Sequence, residues 1–173
     1  VQNLNPLSFV EIDPRTGRVL RQIPAPAEAG RRFTVAGETL WATGRELVKM
    51  DLDLGKEIDR FPFGDFVYGA VVAEGSLWVT VDFDVLRVDP ATGRVQDRFA
   101  NVPGTLDLAY GEGAVWAAGA GGVTRIDPDT NAVTETELPL PDDVPSAAAG
   151  GGFGWTADPT KGVIHKIDRS GRV

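Results

Sequence analysis

Short apolar runs, rich in β-branched and aromatic residues and broken every few positions by Gly, Asp, Pro or Asn, set the pattern of this chain. "SLWVTV" at 76–81 and "DVLRV" at 84–88 are typical. Runs of that length and composition, bounded by turn formers, predict strands. No segment keeps a helical period over a useful length, and the Ala-rich "SAAAG" at 146–150 runs straight into glycines. The expectation is an all-β protein.

The runs also repeat. "VLRVDPATGRV" at 85–95 has counterparts in "FVEIDPRTGRV" at 9–19, "LVKMDLDLGKEI" at 47–58, "VTRIDPDTNAV" at 123–133 and "IHKIDRSGRV" at 164–173. The turn Asp falls at Asp13, Asp51, Asp89, Asp127 and Asp168, with spacings of 38, 38, 38 and 41. Trp41, Trp78, Trp116 and Trp155 follow at spacings of 37, 38 and 39. From each Trp to the next Asp the interval is 10, 11, 11 and 13, so length variation concentrates just after the Trp. In the third complete unit the pattern places strands near 107–111, 114–118, 123–127 and 132–138. Four antiparallel strands in roughly 40 residues predict a β-propeller blade, whereas β-solenoid repeats are shorter, roughly 20–30 residues.

The chain reads as one partial propeller domain over 1–173, with repeats near 1–26, 27–64, 65–102, 103–141 and 142–173. The first 23 residues are expected to supply only third and fourth strands, and 146–173 only the first three. "FVEIDP" and "IHKIDR" are then both third strands, so closure at four blades would leave one redundant. Either the chain is a piece of a ring of about six to eight blades, or two chains pair to complete one. The piece is favoured because propellers mostly close within one polypeptide. Val1 in place of Met fits a mature product or a piece of a longer chain.

"DPxTG" between two strands predicts a hairpin. Asp suits the first turn position because its carboxylate accepts the turn's own N–H groups, and Pro pre-sets φ at the next. The Gly takes a left-handed conformation and forms the bulge that restores register. Asn131 replaces that Gly in one copy, and Asn tolerates positive φ, which fits a backbone constraint and not catalysis. "DRSG" is one residue shorter and lacks Pro, so its turn should differ. Calcium on these Asp residues is not expected, since six or more oxygens must converge. One Trp at the same strand position in each unit predicts packing between neighbouring blades.

Composition narrows function. The net charge is -8, which argues against nucleic acid and anionic membranes. No Cys occurs, which excludes disulfides, thiolate zinc sites and Cys nucleophiles. No apolar run reaches the roughly 18 residues of a membrane span. Among the 17 basic residues Arg far outnumbers Lys, a bias associated with GC-rich bacterial genomes. "GAGGVT" at 119–124 has no helix after it and reads as a short loop, and "GGGFG" at 150–154 falls at a first hairpin turn.

"AEGSLWVTVDFDVLRVDPATGRV" at 73–95 resembles the bacterial propellers of the YVTN and virginiamycin B lyase-like group, over about 33–173 plus half a unit at the start. The resemblance implies a propeller and an extracytoplasmic or cell-envelope location, with a cytoplasmic one as the alternative, since the lack of Cys fits either compartment. That group includes lyases, surface proteins and sensor modules. Its lyases use His and an acidic residue with a divalent metal to open a macrolactone by elimination. The one His here, His165, stands where other copies have Val10, Val48, Leu86 and Thr124, and reads as half-buried and structural. No catalytic residue is carried over. The run also resembles the quinoprotein repeat, but that repeat has Trp where Asp97 stands, so no quinone cofactor is expected.

No cofactor or metal is expected. Candidate ligand-binding residues lie on the face formed by strand-four-to-one and strand-two-to-three loops, because loops on a rigid scaffold carry function. They are Arg31 and Arg32; Asp65, Phe66 and Tyr68; Asp82, Phe83 and Asp84; Asp107; Asp142 and Asp143; and Asp158 and Lys161. Asp82 and Asp84 are expected to share one strand face. The reading is a non-catalytic module for a protein, peptide or small ligand. The alternatives are a lyase-like enzyme whose catalytic blades lie outside this chain, and a half-ring that self-associates.

Overall fold

The computed structural model describes residues 2–4, 7–26, 29–100, 102, 105–141 and 146–173. They form five antiparallel sheets, each a meander of consecutive strands. The first holds β1 (Gln2–Leu4), β2 (Leu7–Ile12) and β3 (Val19–Pro24). The second holds β4 (Ala29–Ala36), β5 (Thr39–Gly44), β6 (Leu47–Asp51) and β7 (Lys56–Phe61). The third holds β8 (Val67–Ala73), β9 (Ser76–Val81), β10 (Asp84–Val88) and β11 (Val95–Phe99). The fourth holds β12 (Thr105–Gly111), β13 (Ala114–Gly119), β14 (Gly122–Ile126) and β15 (Val133–Glu137). The fifth holds β16 (Ala147–Gly150), β17 (Phe153–Asp158) and β18 (Val163–Ile167). First strands stack in series, β4 on β8, β8 on β12 and β12 on β16, as in an arc of propeller blades.

The expected four-stranded unit is present, and in the fourth sheet its strands lie within about two residues of the predicted bounds. The first sheet differs from expectation. It has a third strand, β1, whose Gln2, Asn3 and Leu4 pair with Phe9, Ser8 and Leu7. Three residues are too few to show a two-residue period, so the sequence pattern gave no sign of it.

Short hairpins join first to second strands. Glu74 and Gly75, and Glu112 and Gly113, all have positive φ. Two left-handed residues in a two-residue loop match the right-handed twist of the paired strands. Gly151 and Gly152 do the same in the fifth sheet.

The DPxTG hairpins reverse the chain between third and fourth strands. Asp13 Oδ1 accepts the N–H groups of Arg15 at 2.8 Å and Thr16 at 3.3 Å. Asp89 does this for Ala91 and Thr92, and Asp127 for Asp129 and Thr130. The loop closes where the fifth residue donates to the Asp carbonyl: Gly17 to Asp13 at 2.8 Å, Gly93 to Asp89 and Asn131 to Asp127 at 2.9 Å. That fifth residue has φ of 69, 71 and 58°, so Asn131 does adopt the left-handed conformation of the glycines. Register shifts follow in the first, second and third sheets, the bulge that often follows such a loop, whereas β14 and β15 of the fourth sheet pair without one. In "DRSG" the closing bond comes one residue sooner, from Gly171 to Asp168.

The second-strand Trp of the second, third and fourth sheets serves the next sheet along. Trp41 packs with Val67, Leu77 and Val79 of the third sheet, and Trp78 with Leu108, Val115 and Ile126 of the fourth. Trp116 lies against Gly154 of the fifth, where an added Cβ would sit 2.2 Å from the ring. All three indoles are at most 2% exposed. Burying an indole removes roughly 150–250 Å² from water, about 4–6 kcal/mol at 25 cal/mol per Å².

Directly across from these indoles on the third strand stand Lys49, Arg87, Arg125 and, opposite Trp155, Lys166. Lys49 Nζ sits 5.2 Å from the Trp41 ring centroid and donates to the Pro90 carbonyl of the next sheet at 3.1 Å. Arg87 lies over Trp78 and donates to the Pro128 carbonyl at 2.8 Å. The other two junctions use different donors for the same purpose. Arg21 reaches the Asp53 carbonyl at 3.4 Å, and the Thr136 hydroxyl donates to the Gly171 carbonyl at 3.0 Å. Every junction thus hooks the next sheet's turn through a backbone carbonyl.

Two predictions follow from the turns. Gly17 has φ +69 and open space around a built Cβ, whereas at Gly93, φ +71, that Cβ would lie 2.1 Å from the Phe61 ring. Gly17→Ala should therefore cost about 1 kcal/mol from φ alone. Gly93→Ala should cost about 2–4 kcal/mol because overpacking adds to it. Chemical denaturation measures both, and equal losses would remove the inter-sheet role of Gly93.

Turn-cap carboxylates also make stability depend on acid. The Ser170 hydroxyl, then the Arg172 N–H, hold Asp168 down at about 2, against an ordinary 3.8. Asp13 and Asp89 are lowered chiefly by the N–H groups of Arg15 and Ala91, and Asp127 by the Thr130 side chain. A carboxylate with a lowered folded pKa contributes stability above its unfolded value and loses it as pH falls through the folded one. Melting temperature should hold steady down to about pH 4 and then fall toward pH 2. Asp168→Asn, which mimics the protonated cap, should be less stable than wild type at neutral pH, with the difference shrinking as pH falls from about 4 and through about 2.

Candidate functional site

The strand-two-to-three hairpin of the third sheet organises the candidate site. Val67 pairs with Val81, so Asp65 and Phe66 at the entry of β8 stand beside the Asp82–Phe83 loop. Asp82 occupies a left-handed position, φ 54. It therefore lies in the turn and does not share a strand face with Asp84. The two residues nevertheless line one cleft of about 280 Å³, with Phe63, Gly64, Asp65, Leu86 and Arg98.

The acids in this cleft differ in environment. Asp84 is 7% exposed, and Oδ2 takes both Nε and Nη2 of Arg98 on the adjacent strand. A fork of this kind neutralises a buried carboxylate. Asp65 and Asp82 are exposed, and Asp65 Oδ1 accepts the Phe66 N–H at 2.7 Å. The rim is aromatic. Phe66 and Tyr68 stand with ring centroids 5.1 Å apart, each 37% exposed, and Phe83 is 58% exposed.

A second group lines the first strands. The Arg32 guanidinium on β4 pairs with Oδ1 of Asp107 on β12, reaching past β8. The other Asp107 oxygen accepts the Ala147 N–H of β16 at 3.0 Å. At Gly69 of β8 an added Cβ would lie 3.4 Å from the Leu106 carbonyl, so the glycine lets β8 and β12 approach. Arg32 and Asp107 therefore tie inner strands of several sheets together. Arg31 neighbours Arg32 in β4, and its side chain lies outside the described residues, as do Asp142 and Asp143.

Asp158 and Lys161 are brought together, but in a turn of their own. Asp158 is 1% exposed, and its Oδ1 accepts the Thr160 hydroxyl at 2.6 Å and the N–H groups of Thr160 and Lys161 at 3.1 Å. The Lys161 ammonium lies 3.0 Å from Oδ2. The Thr160 hydroxyl first, then Lys161, hold this carboxyl at about 2. Asp158-Pro159-Thr160-Lys161-Gly162 has the Asp, Pro and Gly spacing of the DPxTG turns, and that pattern was readable in the sequence.

His165 lies on β18 opposite Thr156 and is half-buried. Among the described residues, no three His, Asp or Glu side chains gather closely enough to hold a metal ion.

No family model and no curated protein matches the chain. Solved structures do. The computationally designed Ika4 protein is similar at 11% identity and TM-score 0.67, with 84% of this chain and 94% of that chain covered. The WD40 β-propeller domain of Doa1 is similar at 14% identity and TM-score 0.70, with 87% of this chain and 54% of that chain covered. The chain thus spans about half the length of the Doa1 structure. Likeness at such identities concerns architecture, and with the five meander sheets it makes the fold a β-propeller of about four blades.

Proposed function

We propose that this chain is a non-catalytic interaction module that binds a protein segment at the Asp65–Tyr68 and Asp82–Phe83 rim. The observation that carries the reading is three exposed rings, the Phe66–Tyr68 pair and Phe83, on the two adjacent segments that also carry the exposed carboxylates of Asp65 and Asp82. Exposed aromatics on a rigid rim offer large contact area at small entropic cost, and such residues dominate binding energy at protein interfaces. The acidic rim and the net charge of -8 select a segment carrying apolar and cationic side chains. The WD40 domain neighbour supports an interaction module at the level of fold. The resemblance of the repeats to the YVTN and virginiamycin B lyase-like group supports a bacterial cell-envelope setting.

Selection of random displayed peptides on the intact chain tests this. Enriched peptides should combine Lys or Arg with aromatic or aliphatic residues. Their affinity should fall at least about tenfold in Phe83→Ala, the loss expected of a central aromatic anchor. Peptides that bind a Phe66→Ala, Phe83→Ala double variant as tightly as wild type would place recognition elsewhere and defeat the proposal.

A further inference from the structure

The contact between consecutive sheets has a front and a back. The front carries the second-strand Trp, the third-strand cation opposite it, and the residue two before that cation. Leu47, Val85 and Val123 hold that last position in the second, third and fourth sheets, and are 0%, 0% and 4% exposed because the next sheet covers them. In the fifth sheet the position is Ile164, which is 71% exposed. Beside it Trp155 is only half-buried, and Lys166 is exposed with its ammonium over the Phe153 and Trp155 rings.

The back carries the residue after the cation position. Met50, Val88, Ile126 and Ile167 hold it in the second to fifth sheets, none more than 3% exposed. In the first sheet the residue is Ile12, 38% exposed. Two positions on stands Pro14, the counterpart of Pro90 and Pro128, whose carbonyls accept Lys49 and Arg87. Pro14 is exposed, while Pro90 is half-buried and Pro128 buried.

We infer that the fifth sheet of one copy docks on the first sheet of a second copy, head to tail. Ile164 and Trp155 cover Ile12, and the Lys166 ammonium donates to the Pro14 carbonyl. The occupant follows from the molecule's own rule: every covered front is covered by the back of this repeat. Among the described residues the first sheet has the one back left uncovered. A cation is poised at one end and the kind of carbonyl that receives it at the other. The interface is heterologous, joining different surfaces of the two copies. It is separate from the aromatic rim, so either proposal can fail alone.

Sedimentation of the full chain across the micromolar range tests the inference. Wild type should rise above the 18.4 kDa chain mass as concentration increases. Ile164→Asp and Ile12→Asp should each remain at one chain mass with wild-type circular dichroism. An equimolar mixture should form a two-chain species and nothing larger, because one competent front meets one competent back. If either Asp variant loses its fold, the Ile164→Thr and Ile12→Thr pair is read the same way. Lys166→Met should weaken association about tenfold, as loss of a charged hydrogen bond does. A wild type that stays at one chain mass overturns the inference, as does a mixture with no two-chain species. So does an Ile12→Asp variant that associates like wild type, which would mean that two fifth sheets pair with each other.

Discussion

A tryptophan pressed from one sheet into the next is the contact on which this architecture depends. A short antiparallel meander that is apolar on both faces has no stable solution by itself, because it cannot bury either face. Trp78 is fully buried only because Leu108, Val115 and Ile126 belong to a different sheet. Each sheet therefore supplies the missing half of its neighbour's core, and stability is shared along the arc. The cation opposite the indole fits this requirement. Arg87 lies over the ring, donates from Nε to the Ser76 hydroxyl of its own sheet and from Nη1 to the neighbour's turn.

That second bond gives the DPxTG stretch a role beyond reversing the chain. Asp89 uses its own carboxylate and carbonyl to satisfy the turn's N–H groups. Pro90 has no N–H to place, and its carbonyl is left for Lys49. The junction with the fifth sheet shows the dependence from the other side. Its turn is shorter and lacks Pro, and Arg125 turns to Asp127 at 3.6 Å while its Nε finds no partner among the described residues. Thr136 makes the tether there instead.

What could be read in the chain was what repeats locally. The Trp and Asp periods, and Asn131 in place of Gly, each report a constraint within a few residues, so they gave the fold and the turns. Arg32 with Asp107, and Asp84 with Arg98, depend on how sheets stack and on which rotamers reach across them. Residue type alone placed these acids on the loop face but could not say that Asp84 and Asp107 are spent on structure while Asp65 and Asp82 stay open. Asp158 is the opposite case, because its DPxxG spacing announces the turn it caps. β1 escaped notice because a strand held by three pairs needs no alternation to form.

The two rims of the arc have unequal freedom, and the cause is the tether. Third-to-fourth-strand turns must present a carbonyl to the preceding sheet at a set place, so insertion there would unhook a junction. The opposite rim carries the second-to-third-strand loops, where the tie to a preceding sheet among the described residues is a loop side chain, Lys161 donating to the Pro139 carbonyl at 3.3 Å. Most length variation in the chain falls on that side, in the intervals of 10, 11, 11 and 13 between Trp and the next Asp, and the one shortened turn on the tethered rim, at Asp168, is the one whose junction is held differently. Phe83 and Asp82 project from one of these unconstrained loops, while the backbone beneath them is pinned by the Val67–Val81 pair. A recognition surface needs both properties, variable side chains on an immobile base, and the Asp82–Phe83 loop combines them.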